Sequence, residues 1–212
     1  MADVELEARD LGVRRGHSTI FRGIGMSLRR GELLQVMGPN GAGKTSLLRV
    51  LSSLMPPAEG DLYWRGRPVR TGDPDYLIQL AYLGHVNGLY PDLSATENLR
   101  FAARMAGQRP TVEAAQRALA RFGLDRAADA PVRTLSQGQR RRVALARLAL
   151  APCALWLLDE PLTSLDEASA RSFDTLLASH LHHGGMAVIA THQRLRADCA
   201  VLDLAHVDPV HT

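Results

Sequence analysis

Eight consecutive residues, Gly38-Pro39-Asn40-Gly41-Ala42-Gly43-Lys44-Thr45, have the composition and spacing of a loop that cradles phosphate. Three glycines let backbone N–H groups curl around phosphate oxygens. The loop falls between an apolar stretch and the start of a helix, whose N-terminal dipole favours anions. Lys44 is placed to reach the outer phosphates and the hydroxyl of Thr45 to meet a magnesium ion, and Ser46 continues the nucleotide-binding stretch. Every other basic side chain in this 212-residue sequence is arginine. A lone ammonium among guanidinium groups calls for a chemical reason, and a compact point charge against phosphate supplies one.

A second constellation is Leu155-Trp156-Leu157-Leu158-Asp159-Glu160, an apolar run that ends in two acids. As a strand it would set paired carboxylates at the C-terminal edge of a sheet, where ligands bind in such folds. Asp159 is the expected magnesium partner. Glu160 is then the better candidate for polarising an attacking water, because a carboxylate committed to a metal is a poor base. Read without the glycine loop, the same pair is equally an acidic strand end making a turn. Ser136-Gln137-Gly138-Gln139 precedes the arginine run Arg140-Arg141-Arg142 and, taken alone, reads as a serine-capped basic helix with a solvated face.

These residues need elements to hold them. Apolar patterning gives strands over Val4–Leu11, Gly25–Leu28 and Leu33–Met37, then the glycine loop and a helix from Lys44 to Leu54 that Pro56, Pro57 and Gly60 end. A strand pair follows at Asp61–Trp64 and Leu80–Leu83. Ser94 and Glu97 have capping-box spacing ahead of Leu99, Phe101 and Met105, and a further helix covers Thr111–Phe122. The remaining elements are a helix from Ser136 that ends by Pro152, a strand Ala154–Leu158, a helix Asp166–His182 and a strand Met186–Ala190. Strands alternating with helices imply a parallel sheet.

Composition narrows the function classes. A hydrophobic content of 46% supports an ordinary core, and a net charge of +3 is too mild and scattered to argue for nucleic acid. The most apolar stretch, Leu148–Leu158, is broken by Pro152 and too short to span a bilayer. Met1–Asp10 has no basic segment followed by an apolar one, so no secretory signal is visible and a cytosolic location is expected. Cys153 and Cys199 lack paired spacing and read as small core residues. His180, His182 and His183 put no more than a pair on one helical face ahead of Gly184-Gly185, which reads as a solvated helix end.

Leu135-Ser136-Gln137-Gly138-Gln139, followed by Arg140 through Arg147, closely resembles the signature of ATP-binding-cassette (ABC) ATPases. The order phosphate loop, signature, acidic strand, Ser164-Leu165-Asp166 and Thr191-His192 is similar to that family over essentially the whole chain. The resemblance implies an α/β P-loop NTPase with a RecA-like parallel-sheet core, an N-terminal antiparallel β subdomain and an inserted helical subdomain. Residues 1–212 would be one ABC ATPase domain, with 1–90 and 153–212 the nucleotide-binding core and 91–152 the helical signature subdomain. ATP and Mg2+ are the implied ligands. The resemblance also implies a homodimer in which Ser136, Gln137, Gly138 and Gln139 face the γ-phosphate held by the opposite subunit. His192 would sense that phosphate, and Asp166 would couple the two sites.

Two departures from the family pattern stand out. Val13-Arg14-Arg15-Gly16-His17 has no aromatic residue where the family stacks one on adenine, so Arg15 or His17 would stack instead. Tyr82-Leu83-Gly84-His85 carries His85 where most relatives have the glutamine that touches magnesium and the membrane partner. With Leu93 through Leu99, Phe21-Arg22-Gly23, Gly31 through Val36 and Leu155 through Pro161, it is similar to the haem-exporter ATPase subunits of bacterial cytochrome c maturation. That likeness implies a peripheral subunit on the cytoplasmic face of the inner membrane. Its implied partners are a second ATPase subunit, integral membrane ABC subunits and haem-handling maturation proteins, without nucleic acid. The sequence equally permits a soluble ABC ATPase scaffold such as that of an iron–sulfur assembly complex.

Overall fold

Two kinds of strand pattern build two sheets, seen here in a computed structural model that describes residues 3–16, 18–150, 152–193, 195 and 197–206. The first kind mixes polar and apolar residues. β1 (Val4–Arg15) and β2 (Ser18–Arg29) form an antiparallel hairpin in which Leu6 faces Leu28 and Val13 faces Phe21. β3 (Leu33–Met37) then enters the second sheet, and α1 (Lys44–Leu51) follows it. β4 (Glu59–Trp64) returns to the far side of β1, and the short edge strand β5 (Arg67–Pro68) completes the order β2-β1-β4-β5.

The second kind is mostly apolar. After α2 (Pro74–Leu77) come β6 (Leu80–Leu83), α3 (Ala95–Met105), α4 (Val112–Ala120), α5 (Gln137–Ala146), β7 (Leu155–Asp159), α6 (Glu167–His182), β8 (Met186–Ala190) and β9 (Ala200–Asp203). The sheet order is β6-β7-β8-β3-β9, with β7, β8, β3 and β9 paired in parallel. All five residues of β7 and of β8 are buried, as expected of central parallel strands covered on both faces. Leu6, Val13, Phe21, Trp64, Leu47, Leu51, Leu157 and Val188 belong to one core shared by the two sheets. Fully burying a side chain of this size is worth roughly 1.5–3 kcal/mol.

The chain divides into two compact units. One holds the stretch through Tyr82, Cys153–Glu160 and the chain from His180, and contains both sheets. The other holds Leu83–Pro152 and Pro161–Ser179 and is mainly helical. Within it α3 begins at a full capping box, with Ser94 Oγ accepting from the Glu97 N–H and the Glu97 carboxylate accepting from the Ser94 N–H.

Four sequence expectations need correction. Asp61–Trp64 and Leu80–Leu83 are not a strand pair: β4 pairs with β1 and β5, and β6 lies beside β7. Between them Asp73 caps α2 through the N–H groups of Asp75 and Tyr76, so the chain crosses from one sheet to the other instead of forming a hairpin. α1 stops at Leu51, short of Leu54, because Ser52 Oγ bonds back to the Arg49 carbonyl and Ser53 takes φ +53°. The Tyr76 hydroxyl then donates to the freed Leu51 carbonyl at 2.5 Å. Cys153 and Cys199 are half-buried, not core residues, and burial pushes the Cys153 thiol up to about 11.

The fourth correction concerns His180. Its ring stacks on Trp156 with centroids 3.8 Å apart and planes 5° from parallel, and Nε2 donates to the Met186 carbonyl at 3.0 Å. Gly185 makes this possible, because a Cβ there would fall 2.2 Å from the ring. His182 and His183 are exposed, in line with a solvated helix end, but His180 is not.

Two outcomes follow from these contacts. Burial lowers the His180 pKa, so the unfolded chain takes up the proton first as pH falls. The contribution of neutral His180 is therefore complete above about pH 6.5 and is lost below it. Urea titrations at pH 7.5 and 5.5 will show a smaller acid loss in His180→Phe than in the wild type. At Gly43, φ is +98° and a Cβ would meet Ile20 Cγ2 at 2.6 Å and Phe21 Cδ1 at 2.9 Å. Gly43→Ala is expected to cost roughly 1–3 kcal/mol, and an unchanged urea midpoint would contradict the packing of β2 against this turn.

Candidate nucleotide site

The glycine loop joins the buried strand β3 to α1 at the C-terminal end of the parallel sheet. Gly38, Gly41 and Gly43 take φ of +142°, +86° and +98°, conformations that L side chains rarely adopt. Gly43 is the residue before α1, no side chain caps the helix, and its first turn carries no acid. The N–H groups of that turn and the positive end of the dipole are thus left for an anion. Lys44, 8% exposed, folds back over the loop so that Nζ donates to the Gly38 carbonyl at 2.7 Å and the Pro39 carbonyl at 3.1 Å. Neutral carbonyls satisfy two donors without neutralising the charge, so the third donor and the charge suit a phosphate oxygen.

β7 delivers the acids. Asp159, 3% exposed, accepts from Thr45 Oγ1 at 2.7 Å, which ties the first turn of α1 to the end of β7. Glu160 leaves the strand at φ +48° with its N–H held by the Ala190 carbonyl at 2.8 Å. That reversal turns its carboxylate towards His192, whose Nδ1 lies 3.2 and 3.1 Å from the two oxygens and whose backbone N–H donates at 3.2 Å. The imidazole is more exposed than the carboxylate, 60% against 21%, so the pair opens to solvent on the histidine side. Within one unit the fold therefore assembles Gly38 through Ser46, Asp159, Glu160 and His192.

The helical unit carries the remaining sequence candidates. Ser136 caps α5 in a capping box: its Oγ accepts from the Gln139 N–H at 3.2 Å, and Gln139 Oε1 accepts from the Ser136 N–H at 2.8 Å. Ser136 and Gln137 are exposed. Gly138 has no room for a side chain, since a Cβ would sit 2.9 Å from the Ser164 carbonyl. Asp166 accepts from the Ser169 N–H at 2.8 Å, and its bonds to Ser169, with Arg142 nearby, hold its carboxyl below the usual range. His85 is exposed in the loop after β6. Arg15 is exposed at the tip of the β1–β2 hairpin, and His17 lies outside the described residues.

Three polar residues that are buried or half-buried escaped the sequence reading. Gln35, fully buried in β3, holds the segment after β8 from both sides, with Nε2 donating to the Gln193 carbonyl at 2.7 Å and Oε1 accepting from the Leu195 N–H at 3.3 Å. It thereby fixes the turn that bears His192. An amide in the middle of Leu33-Leu34-Gln35-Val36-Met37 was a legible signal, because a buried polar group must find partners. Tyr82 stands near Asp159: burial pushes its phenol up, a hydrogen bond with Arg49 opposes this, and the Asp159 charge adds to the rise. Arg141, 5% exposed, read in sequence as part of a solvated arginine run.

Comparison with known proteins agrees with this geometry. The ABC transporter family profile matches residues 21–163. A cytochrome c biogenesis ATP-binding export protein, CcmA 2, of Cupriavidus metallidurans is 80% identical over 205 residues, 97% of each chain. The protein of that name (CcmA) in Methylococcus capsulatus is 45% identical over 207 residues, 97% of this chain and 100% of the other. Among solved structures, an ABC transporter ATP-binding protein from Pyrococcus furiosus superposes with a TM-score of 0.84 at 26% identity, covering 96% of this chain and 98% of the other. A dimeric ATP-binding cassette holding ADP and phosphate superposes at 0.77 with 25% identity, over 89% and 88%. With a buried phosphate-loop lysine, a Thr45–Asp159 link and a Glu160–His192 pair on the same scaffold, the chain belongs to the ABC transporter ATPase family and, within it, to the cytochrome c biogenesis ATP-binding export proteins.

Proposed function

We propose that the chain is the ATP-hydrolysing subunit of a membrane complex that serves haem export, or release of a haem-loaded chaperone, in cytochrome c biogenesis. The observation that carries this reading is the convergence of Lys44, Thr45, Asp159 and the Glu160–His192 pair at the C-terminal edge of the parallel sheet. ATP seats its phosphates in the loop, and Lys44 exchanges its carbonyl contacts for the outer phosphate oxygens. Thr45 Oγ1 and Asp159 are hard oxygen donors that fit Mg2+, which would supply charge neutralisation on the phosphates. Glu160, not held to Thr45 as Asp159 is, takes the proton side of the attacking water, and His192 fixes the carboxylate's direction.

A second copy completes the site in this proposal. Ser136 and the N-terminal N–H groups of α5 would face the γ-phosphate bound by the partner subunit, so that ATP closes the dimer and hydrolysis reopens it. Integral membrane subunits dock near His85 to Leu99 and convert that cycle into movement at the cytoplasmic face of the inner membrane. Among the described residues no helix is long and apolar enough to cross a membrane, in keeping with a peripheral role. Arg15 or His17 serves as the base platform in place of an aromatic ring. The relatives compared above carry the export-protein name, and nothing favours the soluble scaffold.

Two experiments test the proposal. In the assembled complex Glu160→Gln is expected to lower ATP turnover by about 100-fold or more while ATP still binds within a few-fold of wild type. Turnover that survives this substitution removes Glu160 as the base. In cell fractionation the chain should copurify with an integral membrane subunit; a wholly soluble protein without such a partner would contradict the transporter reading.

A further inference from the structure

After β6 the chain turns through Gly84-His85-Val86-Asn87-Gly88, with His85 exposed and Val86 81% exposed. Arg141 of α5 anchors this loop. Its Nη1 donates to the Gly84 carbonyl at 3.0 Å and to Asn87 Oδ1 at 3.0 Å, so one nitrogen pins both feet of the His85–Val86 apex. Its Nε reaches the carbonyl of Pro161, the residue after Glu160, at 3.4 Å. Arg147 adds a bond from Nη1 to the Gly88 carbonyl at 2.7 Å. Gly88 takes φ +60° at that point, a turn that favours glycine.

We infer that Arg141 is a positioning residue for turnover: it fixes the apex that presents His85 and Val86, and ties that apex to the signature helix and to the segment leaving Glu160. The geometry suits the task. A guanidinium has donors on separate nitrogens in a rigid fork, so a single buried side chain holds three segments that a point charge would not hold together. Its Cα lies in the first turns of α5, whose N-terminus carries Ser136. A shift of that helix would therefore be carried directly to the two residues exposed at the apex. The inference rests on the proposed docking of membrane subunits near His85.

The test uses the assembled complex and MgATP. Arg141→Lys, which keeps the charge and loses the fork, and Asn87→Ala, which removes one foot, should each lower kcat about tenfold with ATP affinity within about twofold. Because both substitutions cut the same tie, the double variant should be no slower than the slower single. Hydrogen exchange separates positioning from general loosening: in Asn87→Ala the amides of 85–88 exchange faster while those of 140–146 keep wild-type protection. Asn87→Ala leaves α5 intact and decides the matter if Arg141→Lys does not fold. Unchanged exchange at 85–88 with unchanged kcat, or effects of the two substitutions that multiply, overturns the inference. A wild-type rate in His85→Ala would instead overturn the reading of His85 beneath it, with the exchange result still standing.

Discussion

A buried ammonium whose partners among the described residues are carbonyls is the constraint around which this molecule is arranged. Lys44 sits 8% exposed over the Gly38 and Pro39 carbonyls, and a charge so placed is costly unless an anion shares the pocket. Everything near it serves that end. The positive-φ glycines turn N–H groups inward, the uncapped start of α1 adds its dipole, and the first turn carries no acid to compete. The Asp159 carboxylate, at the end of β7, is engaged by Thr45.

The parallel sheet makes this arrangement possible. β3, β7 and β8 run in the same direction and end at the same edge, so the loop, the acids and the His192 turn emerge together. Strands buried on both faces resist displacement, which keeps Asp159 and Val36 level with each other, both opposite Ala190 of β8. Gln35 extends that rigidity to the segment after β8 through two hydrogen bonds. The antiparallel sheet contributes differently: Ile20 and Phe21 press against Gly43, so the hairpin supports the loop from outside.

Much of this was readable because the signals are local. β3, β8 and the capping box of α3 lie where apolar runs and Ser94–Glu97 spacing put them. The phosphate loop and acidic pair are short motifs whose chemistry depends on sequence neighbours. What escaped depends on distant partners. β4 and β6 looked like a strand pair, yet α2 sends them to different sheets. His180 looked solvated, yet it finds Trp156, far from it in sequence. Arg141 could not be told from Arg140 and Arg142, because nothing in an arginine run says which guanidinium is buried. The turn residues that end α1 at Ser52 and Ser53 were outweighed by the prolines beyond them.

The central claim is that Lys44 trades carbonyls for phosphate, and this chain offers an unusually direct readout because Lys44 is its one lysine. With lysine-selective 15N labelling, the side-chain resonance reports that ammonium alone. Saturating MgATP should move it and slow its exchange with water, whereas AMP, which lacks the outer phosphates, should leave it in place. A resonance that ignores MgATP, or answers equally to AMP, would contradict the account.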